Sequence, residues 1–240
     1  MTSPVPSEPS AGTAPGRIGR PVRRVVLASA SPARLATLRA AGLDPEPIVS
    51  GVDESQVGDV APAELAGRLA ALKAEAVAGR LAGATPTGPT PTDPARPETV
   101  VIGCDSVLEL DGEAYGKPGT ADVARARWRR MSGRIGVLHT GHCVIRLGGG
   151  RTDADLSARA EEVADTRVRF GTPTERELEA YLATGEPLQV AGAFTIDGLG
   201  GAFVESVAGD PHNVVGISLP LLRRLTARLG ICWTDLWQVG

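Results

Sequence analysis

The sequence predicts an α/β fold built on a mixed, twisted β-sheet flanked by helices. Three observations carry this. Apolar runs such as VVLAS and TVVIGC alternate with stretches of helical periodicity, so strands and helices are interleaved. Two hairpin signals, one around Asp111-Gly112 and one around the Gly-rich stretch DGLGG, require antiparallel neighbours beside the parallel ones. A chain of 240 residues that is 42% hydrophobic can fill a substantial core.

Residues 1–20 read as a disordered tail, because a Pro-, Ser- and Gly-rich segment has too few large apolar side chains to offset its ordering entropy. The remainder, 21–240, reads as a single domain. VVLAS is its first strand. Ser31 is placed to cap the following helix with Pro32 at its first position, Leu35 and Leu38 inside, and Gly42 as the stop. PAELAGRLAALKAEAVAG, 62–79, predicts a helix with Leu65, Leu69, Leu72 and Ala76 on one stripe. The Pro/Thr-rich insertion at about 82–98 reads as a flexible loop.

TVVIGCDSVLELDGEAYGKP, 99–118, predicts a strand and a tight hairpin. ADVARARWRRMSG is a helix with Trp128 turned inward and its four arginines on the wet face; 135–147 is a strand. The stretch 147–162 reads as irregular surface, its second half open to helix, and Arg167–Phe170 as a short strand. TERELEAYLATG places Thr174 and Glu177 in capping-box register and ends at Gly185. AGAFTIDGLGGAFVESV reads as two strands around a turn, and 219–230 as the last helix.

A net charge of -3 gives no electrostatic reason to expect a nucleic-acid or membrane-surface binder. Cys104, Cys143 and Cys232 are odd in number and far apart, with no CxxC pair, so neither a disulfide framework nor a zinc site follows. The N-terminal segment lacks the apolar core of a signal peptide and no later run is long enough to span a bilayer, so a cytoplasmic protein is expected. His139, His142 and His212 share no metal-ligand spacing and read as structural or surface residues.

Three constellations could carry chemistry. Ser29, Ser31 and Arg34 stand where a strand feeds a helix, which serves either as a plain cap or as a phosphate cradle; neither the P-loop nor the dinucleotide fingerprint is present. Asp53 and Glu54 in GVDE are either solvated turn acids or ligands for a hard divalent cation. Asp105 emerges from the buried run VVIGC, and hairpin arithmetic sets Lys117 opposite Ser106; the two charges meet only through a bulge or a frayed end.

LASASPAR, GVDE, the lysine of LAALKAEAV, VIGCDSV with GKP, LATGEP, AGAF and GDPHNVVGISLPLL follow one another in an order and spacing that resembles the Maf-like nucleoside triphosphate pyrophosphatases, from about Val25 to Gly230. The resemblance implies an elongated sheet in two lobes with a central cleft, commonly as a homodimer. It implies hydrolysis of a nucleoside triphosphate to the monophosphate and pyrophosphate with Mg²⁺ or Mn²⁺. By position it makes Asp105 the proton acceptor, groups Lys117 and Glu54 with it in catalysis, and gives the metal to Glu54 and Asp105. Ser29, Ser31, Arg34, Lys73 and Lys117 become the phosphate-binding set. Ala33 stands where the family has arginine or tryptophan, Ser106 where it has threonine or glutamine, and Asp197 where it has glutamine or glutamate. These three positions are associated with base choice, so the preferred base is not inherited. Val190 replaces a lysine of some members and Gly136 a frequent histidine. The rival reading is a nucleotide-binding regulator of septum formation with little turnover.

Overall fold

In the computed structural model, residues 23–83, 98–148 and 157–238 are described. The expected tail and the insertion between 84 and 97 lie outside these residues. Strand β1 (Arg24–Leu27) is apolar and central because three of its four residues are buried. It runs into α1 (Pro32–Ala40), where the Ser31 hydroxyl accepts from the Arg34 amide and Gly42, at φ 85°, follows the last turn as the sequence predicts. The two-residue β2 (Glu46–Pro47) pairs in parallel with β1, a 3₁₀ turn spans Glu54–Val57, and α2 (Pro62–Gly83) follows.

β3 (Thr99–Leu110) pairs in parallel with β1 and turns through Asp111-Gly112 into β4 (Glu113–Tyr115). Both turn residues have positive φ, 56° and 78°, the geometry of the expected two-residue hairpin. After α3 (Ala121–Met131), two long strands, β5 (Ile135–Leu147) and β6 (Ser157–Phe170), continue the sheet antiparallel. α4 (Glu175–Ala183) opens with the predicted Thr174/Glu177 capping box. β7 (Val204–Ala208), α5 (Pro211–Val215) and α6 (Leu219–Arg228) follow, then a 3₁₀ turn at Trp233–Leu236, and the sheet runs β2-β1-β3-β5-β6-β7 with β4 on β3.

Two apolar clusters lie on the face formed by even-numbered residues of β3. Leu27, Leu38, Ile102, Leu222 and Leu225 pack under α1 and α6; Leu108, Trp128, Phe170 and Tyr181 pack under α3 and α4. Trp128 is fully buried, edge-on to Phe170 at 5.8 Å, and its indole N–H donates to the Ala193 carbonyl at 2.7 Å. Between the clusters the same face is polar. The Thr140 hydroxyl lies 3.0 Å from that of Ser106 and donates to the Asn213 carbonyl at 3.1 Å, while the Asn213 amide donates to Thr166 at 3.0 Å.

The third cluster joins α2 to the opposite face. Here the expected stripe is rotated: α2 buries Ala66, Leu69, Ala70, Ala74 and Val77, whereas Leu72 is exposed and Leu65 and Ala76 are half-buried. The cause is close approach. A Cβ on Gly103 would stand 2.3 Å from the Ala70 carbonyl oxygen, and one on Gly141 would stand 2.1 Å from that of Ala66. Alanines against glycines let the helix lie almost on the strands, and backbone contact outweighs the larger leucines.

Three other expectations differ. Residues from Ser157 onward form the long strand β6 instead of irregular or helical surface, and Arg167–Phe170 is only its end. In AGAFTIDGLGGAFVESV the segments Ala191–Ala193 and Leu199–Phe203 are 3₁₀ turns, and positive φ at Gly192 (70°) and Ala193 (59°) breaks an extended chain; only the last residues, from Val204, form a strand. Ala82 and Gly83 belong to α2, and Glu98 is buried in ion pairs with Arg23 and Arg146 instead of ending a loop.

Candidate functional site

β1 ends at Leu27 and β4 pairs with β3 only from Leu108, so the edge of β3 between Gly103 and Val107 is left open. Into this notch come the turn after β1, the 3₁₀ turn carrying Glu54, and one side of α2. Asp105 stands in the notch with its side chain mostly covered. The Lys73 ammonium donates to the Asp105 carboxylate and lies 2.7 Å from Oε1 of Glu54. Asp105 is 13% exposed and Glu54 55%, so one half of the acid pair is sheltered and the other faces water. An acid from the 3₁₀ turn and one from β3 thus converge on one cationic point.

Arg34 is held inward. Its Nε donates to the Gly216 carbonyl at 2.8 Å, Nη1 to the Cys104 carbonyl at 2.8 Å and to Ser29 Oγ at 3.2 Å, and Nη2 to Ser106 Oγ at 3.0 Å. It is neither a solvated first-turn side chain nor a freely extended phosphate ligand. Four bonds tie the end of β1, the middle of β3 and the loop after α5 together, and the Cys104 carbonyl among them adjoins Asp105. Ser29 Oγ also accepts from the Ser31 amide at 3.2 Å, which fixes the turn in front of α1.

Lys117 does not reach the acids. Ladder pairing stops at Leu108↔Tyr115, two residues before it, and among the described residues it makes no ion pair. The bulge needed to bring Lys117 onto Asp105 is absent, and Lys73 holds that place. Of the three positions linked to base choice, Ser106 is committed to Arg34 and Thr140, and Ala33 is half-buried on the first turn of α1. Asp197 is exposed in the bend between the 3₁₀ turns Ala191–Ala193 and Leu199–Phe203, a loop anchored by Glu186 through bonds from Thr195, Leu199 (3.1 Å) and Gly200 (3.0 Å).

The polar seam behind the site was not assigned from sequence. Asn213 and Gly216, both inside the motif NVVG, supply a backbone carbonyl to Thr140 and to Arg34, and that short motif was the only signal. His142 is buried; its Nδ1 faces the Thr140 carbonyl at 2.9 Å and its Nε2 accepts from the Ser218 amide at 2.7 Å. Burial pushes its pKa down to about 4, against a smaller upward pull from Thr140. His139 sits between Asp165 (2.6 Å) and Glu109 (2.8 Å), a structural role as expected. Burial likewise pushes the Cys104 thiol up to about 12, which leaves no thiolate nucleophile beside Asp105.

A family model described as "Maf-like protein" matches residues 24–229, which include every element from β1 to α6. The chain belongs to the Maf-like family. It is 55% identical over 217 residues to a protein of Salinispora tropica named nucleoside triphosphate pyrophosphatase, covering 90% of this chain and 88% of that one. Proteins of the same name from Streptomyces avermitilis and Rhodococcus erythropolis are 52% identical over 221 residues and 50% over 220, covering 91% and 90% of this chain and 96% and 97% of theirs. The sheet with its mixed pairing fits the family fold.

As to a metal, the donor set has the right chemistry. Glu54 and Asp105 offer hard carboxylate oxygens around a point that already attracts a cation. Among the described residues no group of three His, Cys, Asp or Glu side chains is arranged to hold an ion alone. Two carboxylates suit an ion such as Mg²⁺, which keeps waters and shares its coordination with substrate phosphates.

Proposed function

We propose that this protein hydrolyses a nucleoside triphosphate, canonical or modified, to the monophosphate and pyrophosphate by attack of water on the α-phosphorus. The observation that carries the reading is the convergence of Asp105 and Glu54 on Lys73 beside the Ser29–Arg34 turn. The name shared by its relatives supports it.

Asp105 is the proton acceptor: it is sheltered, its charge is balanced by Lys73, and it occupies the open edge of β3. Glu54 and Asp105 would hold a divalent cation, Mg²⁺ or Mn²⁺, which supplies Lewis-acid polarisation of the phosphate oxygens. The α1 N-terminus behind Ser31, with Lys73 and Lys117, stabilises negative charge spreading over those oxygens in the transition state. Arg34 holds Ser29 and the β3 backbone in place for them. Ala33, Ser106 and Asp197 bear on base choice. We further propose a cytoplasmic homodimer; no described helix is long and apolar enough to cross a membrane.

The test is incubation of the purified protein with a panel of canonical and modified nucleoside triphosphates and Mg²⁺, scoring pyrophosphate. Release of pyrophosphate with matching monophosphate is expected. Orthophosphate with the diphosphate would instead mark γ-cleavage, and no turnover of any nucleotide would favour the regulator, which no structural observation singles out.

A further inference from the structure

Within the homodimer reading, we propose that two copies of this chain join along the free edge of β6, pairing antiparallel about a two-fold axis at Ala160 to give one continuous sheet. β7 covers β6 only from Arg167 to Phe170, so the stretch from Ser157 to Val163 has no strand beyond it among the described residues. The direction of its backbone groups follows from the ladder. The Ala28 amide donates to the Ile102 carbonyl at 2.8 Å, so even-numbered residues of β3 turn toward β1 and odd-numbered ones toward β5. Through the registers Asp105↔Gly141 and Gly141↔Val163, the odd-numbered residues of β6 then turn outward. The bonds at its far end agree: Phe170 donates inward to Arg134 and Gly171 outward to Phe203, both at 2.9 Å.

Arg159, Glu161 and Val163 therefore present N–H and C=O groups along an open edge. No described hydrogen bond takes those backbone groups, and a strand of this kind is a template for another strand. The side chains select a second copy and its register. Within its own chain Arg159 pairs with Glu75 and Glu161; with Ala160 on the axis, Arg159 of each chain also lies opposite Glu161 of the other, so the pair can be exchanged between chains, twice over. An axis at Arg159, Glu161 or Glu162 would set a charge against its own copy, which is unfavourable. A groove of about 310 Å³ beside the edge, lined by Glu64, Gly67 and Arg68 of α2 with Arg159 and Glu161, gives the partner's side chains room on that face.

The test is sedimentation equilibrium of the full chain over a concentration series, with pyrophosphate release and far-ultraviolet circular dichroism as controls for folding. The wild type is expected to sediment as two chains. Arg159→Glu is expected to weaken dimerisation by about tenfold or more, and the double variant Arg159→Glu/Glu161→Arg to restore it, because the exchanged pair is rebuilt in reverse. Glu161→Pro, which removes an outward amide and leaves the β5 ladder intact, is expected to give folded monomers. A wild type that stays monomeric at every concentration defeats the dimer itself. A dimer that persists in folded Glu161→Pro, or is not recovered by the double charge exchange, places the interface elsewhere and overturns the edge. Should Glu161→Pro fail to fold, the charge exchange alone decides.

Discussion

Lys73 of α2 donates a hydrogen bond to Asp105 of β3, joining the helix that covers the sheet to the strand that carries the proposed proton acceptor. The same ammonium also lies 2.7 Å from Glu54, so the acid is aimed by a group that is itself nearly buried. Asp105→Asn keeps an oxygen that can accept from Lys73 and removes the capacity to take a proton. The expected result is a folded protein whose rate of pyrophosphate release falls by about a hundredfold or more, the usual scale for losing a general base. Turnover within about tenfold of wild type would remove Asp105 from the role.

Arg34 makes four hydrogen bonds to three parts of the chain, so its substitution is a stability experiment as much as a catalytic one. A lysine carries the charge without the planar fork. Arg34→Lys is expected to lower unfolding free energy by about 2 kcal/mol, read from urea midpoints, given roughly 1 kcal/mol for each net hydrogen bond it cannot remake. Unchanged stability with a raised KM would make Arg34 a plain phosphate ligand instead.

Lys117 offers the opposite contrast. It is exposed and makes no ion pair among the described residues. Lys117→Ala should leave the urea midpoint within about 0.5 kcal/mol of wild type, as for surface substitutions generally. Its proposed contact with developing phosphoryl charge predicts a fall in kcat/KM of about tenfold or more, carried in kcat if the contact forms only in the transition state. A variant with wild-type kinetics takes Lys117 out of the site.

Local signals in the sequence were legible where one residue type is nearly obligatory. Ser31 and Thr174 cap their helices, and Asp111-Gly112 makes its hairpin, because each choice is set by a few neighbouring backbone atoms. The face of α2 was not legible, since a leucine stripe outweighs alanines by any hydrophobic periodicity; what turned the helix was the absence of side chains on Gly103 and Gly141, far away in sequence. β6 was hidden in the same way. Its charges, exposed at Arg159 and Glu161 and half-buried at Glu162, blur alternation, while pairing with the long strand β5 fixes it. In the site, Asp105 and Arg34 were legible as charged residues following buried apolar runs, although Asp105 lies in mid-strand and not at the strand's end, and which lysine meets the acid depended on where the β3–β4 ladder stops.

The close approach of α2 makes Gly103 a sensitive point for both fold and site. A methyl group there would stand 2.3 Å from the Ala70 carbonyl oxygen and 2.8 Å from Ala74, and neither is the yielding end of a long side chain. Gly103→Ala must push α2 off the sheet, at a cost of about 2–3 kcal/mol, and carry Lys73 away from Asp105. Gly79 on the same helix has nothing within 4 Å of its added Cβ, so Gly79→Ala is expected to stabilise by up to about 1 kcal/mol through helix propensity. Thermal melts and pyrophosphate release on both variants check the pair, and equal behaviour would contradict the packing described for α2.

His142 gives the fold an acid-sensitive component whose sign follows from its environment. Buried between the Thr140 carbonyl and the Ser218 amide, it uses Nε2 as an acceptor, which requires the neutral ring. Its folded pKa is pushed down to about 4 from 6.5, chiefly by burial, so between those values the unfolded chain binds a proton that the folded chain does not. Stability from this group is fully present above about pH 6.5 and is lost as pH falls toward 4, by an amount on the order of 3 kcal/mol. His142→Gln lowers stability at pH 7 but carries no titrating ring. Urea midpoints of the two proteins, measured at neutral pH and near pH 4, should therefore differ less in acid than at neutrality; a gap that stays constant would show that protonation of His142 plays no part in acid unfolding.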